Sequence, residues 1–161
     1  MFKPVSRLTA VVVTAAALAV AAPAVADVTL KNDEMIATRQ ALMRVNSSYE
    51  GLLKAQTEGG PTIPANELKQ IGEAWSRMGK LMPVLFEKGS EGSAPKSRAK
   101  SEIWSQPQDF QAKLASYAKA TEEFQQVAQS GGDKTAVTAA YKEIENACDD
   151  CHKAFRAPAQ R

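Results

Sequence analysis

Cys148-Asp149-Asp150-Cys151-His152 is the stretch whose residue types and spacing can do chemistry. Two thiols three positions apart, with an imidazole directly after the second, form the attachment pattern of c-type haem. Each thiol adds to one vinyl group of the macrocycle, and the adjacent imidazole then falls under the iron. Two other chemistries use paired cysteines. A thioredoxin-type dithiol needs a βαβ setting and a thiol at a helix N-terminus, where the dipole lowers its pKa. Here the pair lies toward the C-terminal end of a helical pattern, which disfavours a thiolate. A structural zinc site takes four ligands, and the chain offers two cysteines and one histidine. Because His152 is that one histidine, two imidazoles from a single chain cannot ligate one iron.

The elements that must position this motif read as helices, and no segment reads as a strand. Val137, Tyr141, Ile144, Cys148, Cys151 and Phe155 recur in alternating steps of four and three, so both thiols fall on the inward seam of the last segment. His152 is one turn after Cys148 and shares that face. Asp133 can cap this segment. A first segment starts at an Asn32 cap followed by Asp33 and Glu34. Its inward pairs are Met35/Ile36, Arg39/Gln40, Leu42/Met43, Tyr49 and Leu52/Leu53, and Gly59-Gly60-Pro61 closes it. A second begins near Pro64 and carries Leu68, Ile71, Trp75, Met78, Met82 and Leu85, with Pro83 weakening its end. Residues 87–101, rich in Gly, Ser, Lys and Pro, make one long loop. A third opens around Ser105-Gln106-Pro107, carries Phe110, Leu114, Tyr117, Thr121, Phe124 and Val127, and stops at Gly131-Gly132. The pattern predicts an all-α, antiparallel four-helix bundle, with haem c bound covalently inside it.

The N-terminus carries an export pattern. Lys3 and Arg7 precede the uncharged run from Leu8 to Val20, and Ala24-Val25-Ala26 is a small-x-small cleavage site. The run is short of the roughly 20 residues a membrane span needs. The expected organisation is therefore a cleavable signal peptide at 1–26 and one domain at 27–161. The mature chain has no membrane span, and its expected location is the periplasm. Two of the 20 basic residues belong to the leader, so the remainder balances the 18 acids and the whole-chain pI of about 8.5 overstates its basicity. No basic cluster of the kind nucleic acids require is present.

The chain resembles the class II c-type cytochromes, the group of cytochrome c′ and the low-spin cytochromes c-556. The resemblance rests on the haem motif at the C-terminal end with Phe155-Arg156 after it. Further matches are Arg39-Gln40-Ala41-Leu42-Met43, Leu85-Phe86 with Gly89-Ser90-Glu91, and Ile103-Trp104. It implies Cys148 and Cys151 as thioether attachments, His152 as axial ligand, and Arg39, Gln40, Ser90 and Glu91 at the haem edge; members of the group often have Thr where this chain has Ser90. Arg156, one turn after His152, is a candidate for the haem face or a propionate. Met43 matches the distal position, where a methionine ligates the iron in the low-spin members and an apolar residue, sometimes methionine itself, only blocks the sixth site in the high-spin ones. The implied function is electron transfer by one haem c with unidentified redox partner proteins, without catalysis. The alternative is a five-coordinate iron that captures nitric oxide or carbon monoxide, and a remote one is a thiol-disulfide oxidoreductase. Many cytochromes c′ are homodimers through their first two helices, where Met35, Leu53 and Met78 are candidates to face a partner.

Overall fold

The structure, a computed structural model, describes residues 31–92 and 97–159; the signal-peptide reading of 1–26 lies outside them. Four long helices form an antiparallel bundle: α1 (Asn32–Thr57), α2 (Ala65–Leu81), α4 (Pro107–Gln129) and α5 (Lys134–Phe155). A one-turn helix, α3 (Glu102–Ser105), precedes α4, and a 3₁₀ turn, Met82–Phe86, continues α2. That turn forms where Pro83 has no N–H for an α-helical ladder. Among the described residues β pairing is limited to one isolated bridge, Ala99 with Arg156.

The helix ends follow local chemistry. Asp133 caps α5 by accepting from the Ala136 N–H at 2.8 Å. Gly131, at φ 73°, supplies the left-handed residue that stops α4. At the start of α1 the expected Asn32 cap is corrected by one position. Lys31 is the cap and donates its backbone N–H to Glu34 Oε2, while Asn32 is helical and its side chain donates to the Glu91 carbonyl.

The inward series of α2 and α4 pack as their spacing requires, with Leu68, Ile71, Trp75, Met78, Phe110, Leu114, Tyr117 and Phe124 all buried. Trp75 stands edge-on to Tyr49 of α1 and Phe124 of α4, at 5.8 and 5.2 Å between centroids. Two glycines let α2 and α4 approach. A Cβ on Gly79 would lie 2.7 Å from Thr121 Oγ1 and 3.1 Å from Ala118 Cα, and one on Gly72 would lie 3.0 Å from Gln125 Cα.

The α1 pattern needs correction. Its buried residues are Ile36, Arg39, Asn46, Leu53 and Gln56, while Leu52 is 51% exposed and Gln40 is exposed. Leu53 and Met78 fill this chain's own core and so are not available to a partner; Val45 and Leu52 are the exposed large apolar side chains of α1. No helix of the described residues is long and apolar enough to cross a membrane.

The glycine contacts set opposite signs for two substitutions. Gly79→Val forces a branched side chain into the α2–α4 contact and is expected to destabilise by about 2 kcal/mol. Gly51, with nothing within 4 Å of its Cβ position, sits in an exposed helix interior, so Gly51→Ala should stabilise by up to about 1 kcal/mol. Thermal unfolding of the two variants checks both signs.

Candidate functional site

A cavity of about 450 Å³ opens between α1 and α5. From α5 it is lined by Cys148, Cys151, His152 and Phe155. From α1 it is lined by Arg39, Met43, Asn46 and Glu50, in steps of four, three and four that keep them on one helix face. Phe110, Leu114 and Tyr117 of α4 and Phe86 of the 3₁₀ turn close the back. Phe86, Phe110 and Phe155 form an edge-to-face chain with centroids 4.9 and 5.1 Å apart. The thiols and imidazole therefore face a largely apolar chamber with a thioether among its opposite wall residues.

The electrostatics suit metal ligation and not thiol redox chemistry. Burial, helped by Glu50, pushes the Cys148 thiol up to about 12, and burial also raises Cys151. Neither is a thiolate at neutral pH, so the redox dithiol reading loses its nucleophile. Burial, and then the Arg156 charge, lower the His152 pKa, which favours the neutral imidazole that binds iron. Among the described residues no group of three or more His, Cys, Asp or Glu side chains is placed to hold a metal ion.

Arg39 is 3% exposed, and loop atoms occupy its guanidinium. Nη1 donates to the Leu85 carbonyl at 3.2 Å and the Ser90 carbonyl at 2.7 Å, and Nη2 donates to Ser97 Oγ at 3.1 Å. The cation also lies 4.8 Å from the Phe86 ring centroid. Ser90 is fully buried and its hydroxyl donates to the Glu87 carbonyl, while Glu91 accepts from the Gly89 N–H. Ser90 and Glu91 are thus not among the lining residues, whereas Gln40 and Arg156 are. Residues 98–100 strap the wall to the end of α5. Lys100 N–H donates to the Phe155 carbonyl at 3.0 Å, and Ala157 N–H donates to the Arg98 carbonyl at 2.8 Å.

Sequence reasoning missed Asn46 and Glu50. Both are polar residues at seam positions of α1, and an apolar count passes over them. Their signal was the spacing from Arg39 and Met43, not their type.

The family model described as Cytochrome C′ matches residues 34–156, which takes in both cavity-facing seams. The chain belongs to the cytochrome c′ family. It is 30% identical over 139 residues to cytochrome c-554 of Cereibacter sphaeroides, covering 85% of this chain and 90% of that one. It is 28% identical over 119 residues to cytochrome c′ of Pararhodospirillum photometricum, covering 73% and 92%. Its fold matches a nitric oxide complex of a variant cytochrome c prime from Alcaligenes xylosoxidans with a TM-score of 0.73, 24% identity, and coverage of 81% and 99%. Cytochromes of this family carry covalently attached haem c. The cavity fits such a group: two thiols and a neutral imidazole share one wall, and aromatic, aliphatic and thioether side chains make up half of the remaining lining, with polar and charged residues such as Gln40 and Arg156 making up the rest.

Glu50 gives this cytochrome c′ family member a pH dependence of stability. Burial first, and then the Glu145 and Asp149 charges, raise its carboxyl above the ordinary 4.5. The folded chain then holds the proton more tightly than the unfolded chain. Its contribution is fully present below the ordinary value and is lost as pH rises through the raised one. Glu50→Gln, which cannot ionise, should therefore unfold at higher denaturant concentration than the parent at neutral pH, with the gap closing near pH 4.5. A pH series of denaturant midpoints measures this.

Proposed function

We propose that the protein is an exported, periplasmic, monohaem electron carrier whose iron is held between His152 and Met43. The observation that carries the reading is that His152 of α5 and Met43 of α1 line the same chamber, on facing helices. A methionine thioether is long and flexible enough to meet a metal from a helix across such a space. Haem c, when bound, supplies the one-electron couple; His/Met ligation places that couple at a raised potential.

The chain's own residues divide the remaining work. Cys148 and Cys151 tether the group, so it is not lost on unfolding. His152 stays neutral and presents its nitrogen from a fixed helix. Phe86, Phe110, Leu114 and Phe155 exclude water and lower the local dielectric, which favours the less charged, reduced state. Gln40 and Arg156 line the chamber among its polar residues, where hydrogen bonds to carboxylates of the macrocycle are strongest if charge-assisted. No substrate is transformed. Export to the periplasm is supported by the Lys3/Arg7, apolar run and Ala24-Val25-Ala26 pattern, with cleavage after Ala26.

A second reading is a five-coordinate iron that captures nitric oxide or carbon monoxide, with Met43 only as a shield. It is favoured by the nitric oxide complexes among proteins of matching fold. One substitution separates the two. If Met43 ligates, Met43→Ala turns a low-spin iron high-spin and opens it to rapid CO binding, and the parent protein shows a methionine-to-iron charge-transfer band. A high-spin parent that already binds CO rapidly, with a spectrum unchanged by Met43→Ala, refutes ligation and supports gas capture. Absorption spectra of the two holoproteins decide it.

A further inference from the structure

Asn46 is the polar residue the cavity does not otherwise explain. It is 7% exposed, lies one turn after Met43 on the same face of α1, and lines the same chamber. Its Oδ1 accepts from the Tyr117 hydroxyl of α4 at 3.0 Å, and this is its side chain's one hydrogen bond among the described residues. Tyr117 is itself buried and lines the cavity. Burial raises the phenol pKa, so the hydroxyl remains a donor throughout the neutral range. A donor on Oδ1 fixes which end of the amide faces Tyr117 and turns Nδ2 away from it. That nitrogen is not sealed inside protein. Among the described residues the one fully enclosed side-chain nitrogen or oxygen without a partner is Trp75 Nε1. Placing an amide N–H₂ against an apolar chamber is costly unless something accepts from it.

We propose that Asn46, oriented by Tyr117, donates a hydrogen bond to the ligand that iron takes on the Met43 side of the chamber. This rests on the reading that the iron lies between His152 and Met43. In the native protein the acceptor is the Met43 thioether sulfur, a weak acceptor. In a protein lacking that thioether it is the outer atom of a diatomic ligand. Asn46 touches the ligand; Tyr117 is a positioning residue that acts through it. The donor withdraws electron density from the sulfur and so favours the reduced iron.

The test is the infrared C–O stretch of the ferrous CO complex of Met43→Ala holoprotein, with and without a second substitution. Asn46→Leu should raise the stretching frequency, because a donor to the CO oxygen strengthens back-donation from iron and weakens the C–O bond. Tyr117→Phe leaves the amide in place but free to turn, and should shift the band the same way by less or split it. An unchanged band in the Asn46→Leu protein overturns the proposal. If that protein does not fold, an unchanged band with Tyr117→Phe overturns it. A purely structural Asn46–Tyr117 pair would lower the melting temperature in both variants and leave the band unmoved. In the Met43-containing protein, Asn46→Leu should lower the reduction potential. A parent spectrum with no sulfur ligation would defeat the Met43 reading alone, since the CO shift is read in a background without Met43.

Discussion

The gap between α1 and α5 is the constraint on which the rest depends. Three helices pack directly: α4 lies along both α2 and α5, with close glycine contacts to α2. α1 is instead tied mainly toward its ends, with the Tyr117 hydroxyl reaching Asn46 in between. At one end Asn32 bonds the Glu91 carbonyl and Arg39 gathers the carbonyls of Leu85 and Ser90 with the hydroxyl of Ser97. At the other, Tyr49 packs on Trp75, and Gln56 accepts from the Ile63 N–H at 2.6 Å. Between these anchors the helix bridges a chamber whose walls carry Phe86, Phe110, Leu114 and Phe155. Apolar walls facing an open chamber forgo contact and burial energy of about 25 cal/mol per Å². A flat, apolar, covalently tethered macrocycle recovers that contact. On the proposed reading the cofactor is part of the core of the bundle and not an addition to its surface.

That placement explains why polar groups are distributed as they are. Arg39 is buried, yet its charge is taken up by loop oxygens and the Phe86 ring, so it organises the rim of the chamber. Buried charge of this kind persists only where its donors are satisfied. The strap at 98–100, bonded to the backbone around Phe155 and Ala157, holds the end of α5 beside that rim. Through Ser97 the two networks meet, and the helix bearing the imidazole is tied to the helix bearing the thioether.

Most of the bundle was legible because its signals are local. The seams of α2, α4 and α5 are apolar at nearly every inward position, and Asp133, Pro83 and Gly131 mark ends by their own stereochemistry. The Cys148, Cys151 and His152 pattern stands out in the sequence because covalent attachment would dictate its spacing, and the structure places all three side chains on one cavity wall. α1 was read less well for a physical reason. Much of its inward face meets a chamber and a polar rim instead of aliphatic side chains, so Arg39, Asn46 and Glu50 occupy positions that an apolar pattern leaves blank, and Leu52 was drawn inward wrongly by its neighbour Leu53. The strap at 98–100 is held by tertiary bonds to the end of α5, and α3 by the bond from Trp104 to the Glu87 carbonyl, which no window of sequence contains. The separation of Ser90 and Glu91 from the cavity lining has the same origin: Ser90 presents its carbonyl to Arg39, and backbone groups carry no residue signature.

X-ray absorption at the iron edge of the oxidised holoprotein reads directly which atoms surround the iron. Six-coordinate iron with the porphyrin nitrogens, one imidazole nitrogen and one sulfur is the result expected from His152 and Met43 on facing walls. Iron with nitrogen neighbours alone, five-coordinate and without sulfur, would contradict it.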